Sequence, residues 1–180
     1  MMIKFRFIAS AITLLTVISC NESTDQKQKE SAIKEQESGS GEVEAKTRIM
    51  STSKAVSLAE SQFKEYLPKI LETHDAILDV QASYTGDFTG DGIDDVAIYF
   101  SLAPKGGGNA IVGQGLSLYQ NDGTSVKVIA GYEPDYLFSF DKISHGRIHV
   151  EKLAYAEDDG RCCPSIKTAH TLTLAGSKAY

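Results

Sequence analysis

The sequence predicts an α+β domain in which one N-terminal amphipathic helix packs on a six- to seven-stranded, mainly antiparallel sheet. Three observations predict it. Apolar residues first recur every three or four positions, the spacing of a helix stripe, and then every second position, the spacing of strands. Short glycine-bearing turns join neighbouring period-two runs, which favours an antiparallel meander over parallel crossovers.

The helix opens on Ser51-Thr52-Ser53, residues suited to capping free backbone N–H groups, and carries the stripe Val56, Ala59, Phe63, Leu67 and Ile70. Pro68 should kink or end it, because a mid-helix proline loses a hydrogen bond and crowds the preceding turn. In the first strand Leu78, Val80, Ala82 and Tyr84 point one way, and Asp79, Gln81 and Ser83 the other. Asp95 to Phe100 is nearly all apolar and reads as a central strand covered on both faces. Further strands are expected at Leu116 to Gln120, Val126 to Ala130, Leu137 to Ile143, Arg147 to Ala154 and Ile166 to Leu174. The turns Asn121-Asp122-Gly123 and Ser144-His145-Gly146 supply the left-handed backbone that tight hairpins need.

Composition narrows the class. The chain has 180 residues, 18 basic against 24 acidic, and a net charge of -6 without a basic block in its body, which argues against nucleic acid as a partner. Three cysteines are too few for a disulfide scaffold. Residues 1–19 read as an export signal: Lys4 and Arg6 precede an apolar run from Phe7 to Val17 that is too short to span a bilayer. Residues 21–50 contain no aromatic residue and are rich in Glu, Gln, Lys and Ser, a composition that cannot bury enough apolar surface to offset chain entropy. They read as a tether between Cys20 and a single domain over 51–180.

Val17-Ile18-Ser19-Cys20 resembles the lipobox of bacterial lipoproteins. The resemblance implies that Cys20 becomes the first mature residue and is acylated, so that lipid chains hold the protein to the bilayer without a transmembrane helix. It also implies a bacterial cell envelope, at the periplasmic face of the outer membrane or at the cell surface.

The stretch from Asp87 to Asp95 fits D-x-[DNST]-x-D-G-x-x-D, a spacing that sets oxygen-bearing side chains around one point on a tightly turned loop, as a hard cation such as calcium requires. Asp87, Thr89, Asp91 and Asp95 would give side-chain oxygens and Ile93 its carbonyl, with Gly92 permitting the turn. The competing arrangement is an ion-free turn whose carboxylates bond backbone amides. The segment Gly86 to Phe100 resembles the calcium repeats of integrin β-propellers and of VCBS or FG-GAP modules. It departs from them in having Thr89 at the third position, a single copy, and Ile98 where a twelfth-position acid would sit.

Cys162 and Cys163 can form a vicinal disulfide in an oxidising envelope; loop shaping, redox work and soft-metal binding are the roles open to the pair. A signal, a helix, the Asp/Gly loop and a late Cys162-Cys163-Pro164-Ser165 together resemble uncharacterised bacterial envelope lipoproteins, a group with no activity to carry over. His170 shares parity with Ile166, Leu172 and Leu174 and should face inward, while His149 shares the opposite parity with Glu151 and should be solvated; neither suggests a catalytic triad, and the sequence pairs no serine with His74 or His145. The glycine-rich tip at 104–109 lacks the ending of a phosphate loop, so Lys105 to Gln114 is the expected contact region.

The functional expectation is a membrane-anchored, non-catalytic binding or scaffolding module, stabilised by calcium, that touches the bilayer through Cys20 and meets a protein or glycan partner. An inhibitor or immunity lipoprotein acting on an envelope hydrolase fits the same size and anchor. A hydrolase using the Asp87–Asp95 loop or Asp158 and Asp159, or a thiol enzyme using Cys162 and Cys163, is the enzymatic alternative.

Overall fold

A computed structural model describes residues 49–108, 110–160 and 163–180. The export signal, Cys20, the tether up to residue 48 and Cys162 lie outside the described residues. The described part is α+β, with one helix and two largely antiparallel sheets. Among the described residues, no helix is long and apolar enough to cross a membrane.

Helix α1 spans Thr52–His74. Ser51 caps it with its hydroxyl accepting from Lys54 N, and the left-handed Asp75 closes it by donating its N–H to Glu72 O and Leu71 O. Ala55, Ala59, Phe63 and Ile70 are buried, with Val56 and Leu67 packed beside them. The helix does not end at Pro68 but runs on for six residues past it. Pro68 lies on the exposed side, where water can satisfy the carbonyl that its missing N–H leaves behind.

Nine strands follow: β1 (Ala76–Gly86), β2 (Asp95–Pro104), β3 (Gly113–Asn121), β4 (Val126–Tyr132), β5 (Leu137–Ser144), β6 (Arg147–Ala154), β7 (Ile166–Thr171), β8 (Leu174–Ala175) and β9 (Lys178–Ala179). They do not form the single sheet of six or seven strands that the sequence predicts. One sheet has six strands in the order β1-β2-β3-β4-β9-β8, with β4 and β9 parallel, and a second has three in the order β5-β6-β7. The break falls between Tyr132 and Leu137, where Pro134 lacks the N–H that would continue a ladder. The expected strand Ile166 to Leu174 is likewise divided: Leu172 turns into the core, and Thr173 exchanges backbone hydrogen bonds with Tyr180 instead of continuing β7.

The six-stranded sheet is the middle of three layers. Val96, Ile98, Phe100 and Leu102 of β2 meet α1, and Ala97 and Tyr99 meet the three-stranded sheet, so β2 is covered on both faces. Two glycines permit close approach. A Cβ on Gly115 would lie 2.7 Å from Tyr132 O and 2.8 Å from Phe100 Cζ, and one on Gly86 would lie 2.7 Å from Ile143 Cγ2. At Gly86 the two sheets close on each other; farther along β5 they part.

The face assignment along β1 also differs from the sequence reading. The register with β2 shifts between Leu78 and Val80, leaving Asp79 as a bulge. One extra residue inverts every later side chain. Leu78 therefore packs with α1, but Ser83 is the residue that reaches the helix, donating to Glu60 Oε1 at 2.7 Å, while Tyr84 turns to the second sheet and stacks on Phe140.

Candidate functional site

The Asp87–Asp95 segment links β1 to β2 and is organised around backbone donors. Asp95 is fully buried; its Oδ2 accepts from Phe88 N and Thr89 N, and its Oδ1 from Asn121 N on β3. Burial raises its pKa, and the backbone N–H groups of Asn121, Thr89 and Phe88, together with the nearby Thr89 hydroxyl, pull it back down. Asp87 accepts from Gly90 N and Gly92 N, both at glycines whose positive φ the loop requires. Asp91 accepts from Ile93 N. Thr89 Oγ1 is enclosed close to the Asp95 carboxylate but makes no hydrogen bond of regular geometry. The loop thus has the form of an Asp/Gly turn whose carboxylates serve backbone amides. Among the described residues, no three or more His, Cys, Asp or Glu side chains converge to hold a metal ion.

The other expected chemistry is dispersed. Cys163 is disulfide-bonded. Asp159, beside it in the loop between β6 and β7, accepts from Ala156 N and Ser165 N, and these bonds hold its carboxyl below the ordinary range, the opposite of what a general acid needs. His170 is only half-buried and Ile166 on the same strand is exposed, so β7 has no core-facing side of the expected kind. It is one of the two edge strands of the outer sheet, β5 being the other. His149 is half-buried as well, not solvated: its Nδ1 meets Thr171 Oγ1 at 3.1 Å and its Nε2 meets Ser144 O at 3.4 Å, a bridge across paired strands.

What the fold brings together is a groove of about 470 Å³ where the two sheets part. Tyr84 and Tyr99 of the six-stranded sheet form one wall, and Phe138 and Phe140 of β5 the other. Tyr84 stacks on Phe140 with centroids 3.7 Å apart, and Tyr99 meets Phe138 edge-on at 5.7 Å, so the aromatic walls hold each other in place. Leu153, Tyr155 and Pro164 close the far side, and Ala110, Ile111 and Gln114 the near side. The last three fall within the contact region expected at Lys105 to Gln114. Ile111, Val112 and Tyr155 remain exposed at or beside the rim.

No described residue lining the groove carries a formal charge. Burial raises the pKa of Tyr99, with the charges of Tyr84 and Asp79 adding to it against a hydrogen bond from Ser101, so its phenol stays a neutral donor. The groove can therefore offer aromatic and aliphatic surface, neutral hydroxyls and the Gln114 amide; of its hydroxyls, that of Ser139 donates to the Glu151 carboxylate at 3.2 Å. A second cavity of about 400 Å³ lies between α1 and β4, rimmed by Tyr66 and Val128. Gln62 crosses from the helix there to Val126 O at 2.7 Å.

Sequence reading missed the groove walls because they come from β1, β2, β5, β6 and the segment after it, which share no motif. The only local signal is the pair Phe138 and Phe140, two aromatics at strand spacing on one face. No known protein family, curated protein or solved structure matches the chain.

Proposed function

We propose that the domain is a non-catalytic recognition module of a lipid-anchored bacterial envelope protein, and that the groove between the two sheets is its contact site. The observation that carries this reading is the uncharged, aromatic-walled groove, whose lining is aromatic and aliphatic surface with neutral hydroxyls and one amide, the make-up of a recognition surface. The anchor rests on the lipobox resemblance ending at Cys20, and the tether that follows would let the domain stand on the order of 30 Å from the bilayer.

Ile111→Asp tests the site. The residue is 43% exposed, so a carboxylate there should change stability by no more than about 0.5 kcal/mol while charging the rim. With the protein immobilised, an envelope component retained by the native domain should be held at least about tenfold more weakly by Ile111→Asp and equally by the distant Thr168→Asp. Retention indifferent to Ile111, or turnover of an envelope substrate by the purified protein, would replace this reading with the inhibitor or the enzymatic one.

Calcium is a separate proposal for the Asp87–Asp95 loop. It is favoured by the spacing of Asp87, Thr89, Asp91 and Asp95 and by Thr89 Oγ1, which is enclosed close to the Asp95 carboxylate without a well-aligned hydrogen bond. A thermal melt with millimolar calcium should lie roughly 5 °C above one with chelator, and Asp91→Ala should abolish the difference. Identical melts would leave the backbone donors as the whole of the loop's support.

A further inference from the structure

We infer that the groove takes an extended, uncharged peptide segment of a partner, which adds as a strand to the free edge of β5 at Leu137–Phe140; this rests on the groove being the contact site. Consecutive residues of a strand point to opposite faces, so a cavity lying against one face touches every second residue. This groove touches four in succession, Leu137, Phe138, Ser139 and Phe140, and so it runs along the strand's edge. Among the described residues no strand lies along that edge: β5 has β6 as its one strand partner in the three-stranded sheet, and the group that reaches the edge is the Gln114 side chain, which an added strand would displace.

The backbone there already shows which groups face outward. Gln114 Nε2 donates to Phe138 O at 2.8 Å, a side-chain amide standing where the N–H of a neighbouring strand would stand. In an antiparallel pair the N–H and C=O of one residue point to the same side, alternating along the chain. Phe138, and Phe140 two residues on, therefore turn their backbone groups toward the groove. The register of β5 shifts between Phe140 and Lys142, so the regular edge ends there, after about four residues or roughly 13 Å.

The walls suit the two faces of an added strand, with Tyr84 and Tyr99 to receive side chains on one side and Leu153 and Tyr155 on the other. Charge sets the rest of the partner's chemistry. A lysine or aspartate entering a groove whose described lining has no formal charge would lose hydration with nothing to replace it, so alternating aliphatic, aromatic and hydroxyl residues are the complementary sequence.

The probe is a displayed library of random linear peptides selected on the full-length protein, followed by synthesis of enriched peptides with one N-methyl group at each position in turn. Strand addition predicts a period of two. N-methylation should weaken binding by about tenfold at every second residue, where the amide faces β5, and little between. Hydrogen exchange should slow at the Phe138 and Phe140 amides when the peptide is bound. Enriched peptides that tolerate every N-methyl group, or that leave those two amides unprotected, overturn strand addition while leaving the groove as a site read by side chains. No enriched peptide overturns the proposal, and binding of neutral envelope oligosaccharides that Ile111→Asp abolishes would then assign the groove to a glycan. Peptides bound equally by Ile111→Asp would bring down both the strand and the groove.

Discussion

Replacing Asp95 with alanine should cost about 4 kcal/mol, a large part of the 5 to 15 kcal/mol that holds a typical domain together. The residue is fully buried and satisfies three backbone N–H groups, those of Phe88 and Thr89 in its own loop and that of Asn121 on β3. Alanine has no acceptor, so all three donors would be left in a site with no room for the hydration they had in the unfolded chain. Urea denaturation should show the midpoint falling by roughly 2 M with little change in slope. Asp95→Asn keeps one acceptor oxygen but turns an amide donor toward at least one N–H, and should lose about half as much. Asp91→Ala is the control. Its carboxylate is exposed and reaches Ile93 N and, at 3.5 Å, Gln120, so its removal without calcium should cost under about 1 kcal/mol. Equal losses at positions 91 and 95 would mean that the loop is held in some way other than through the Asp95 carboxylate.

Asp95 also shows how a motif can be read correctly as residues and incompletely as a site. The spacing of Asp87, Asp91 and Asp95 says that three carboxylates meet one tight loop, and they do so. It does not say that the third is sealed beneath the loop by a strand 26 positions away, because burial is decided by tertiary packing. The same division runs through the fold. The apolar run Val96 to Phe100 announces a strand covered on both faces, and the turns at Gly123 and Gly146 announce hairpins, because each depends on the residues themselves. The bulge at Asp79 has no such mark. Alternation continues through it in the sequence, and only pairing with β2 shows that Ser83 faces the helix and Tyr84 does not. The second sheet was hidden for a related reason: Glu133-Pro134-Asp135 marks a break between strands, but a break does not state whether the next strand extends the sheet or folds over it. The groove, built where the sheets part, inherits that illegibility.

Phe138→Ala should be the most damaging substitution in the second sheet, costing about 4 kcal/mol and loosening β5 to β7 from the middle layer. The ring is 2% exposed and meets Tyr99 at 5.7 Å and Tyr132 at 5.0 Å, both edge-on, so one side chain from β5 is fixed between residues of β2 and β4. Truncation removes the apolar area, leaves a cavity that neighbours can only partly fill, and deprives two tyrosines of their aromatic contact. Phe138→Leu keeps most of the volume and should lose no more than about 2 kcal/mol, the share belonging to aromatic geometry and imperfect fit. Hydrogen exchange distinguishes a local from a global effect. If Phe138 is the pin between layers, its alanine variant should raise exchange in β5, β6 and β7 far more than in β1 to β3, whose other face is packed on α1. Uniform acceleration would mean that the three layers unfold as one unit. The same ring is a wall of the groove, and Gln114 holds the carbonyl of the same residue, so core and contact site are built from one position. A partner bound along β5 should therefore protect the second sheet against exchange and raise the urea midpoint of the native protein, and Phe138→Ala should lose both effects together.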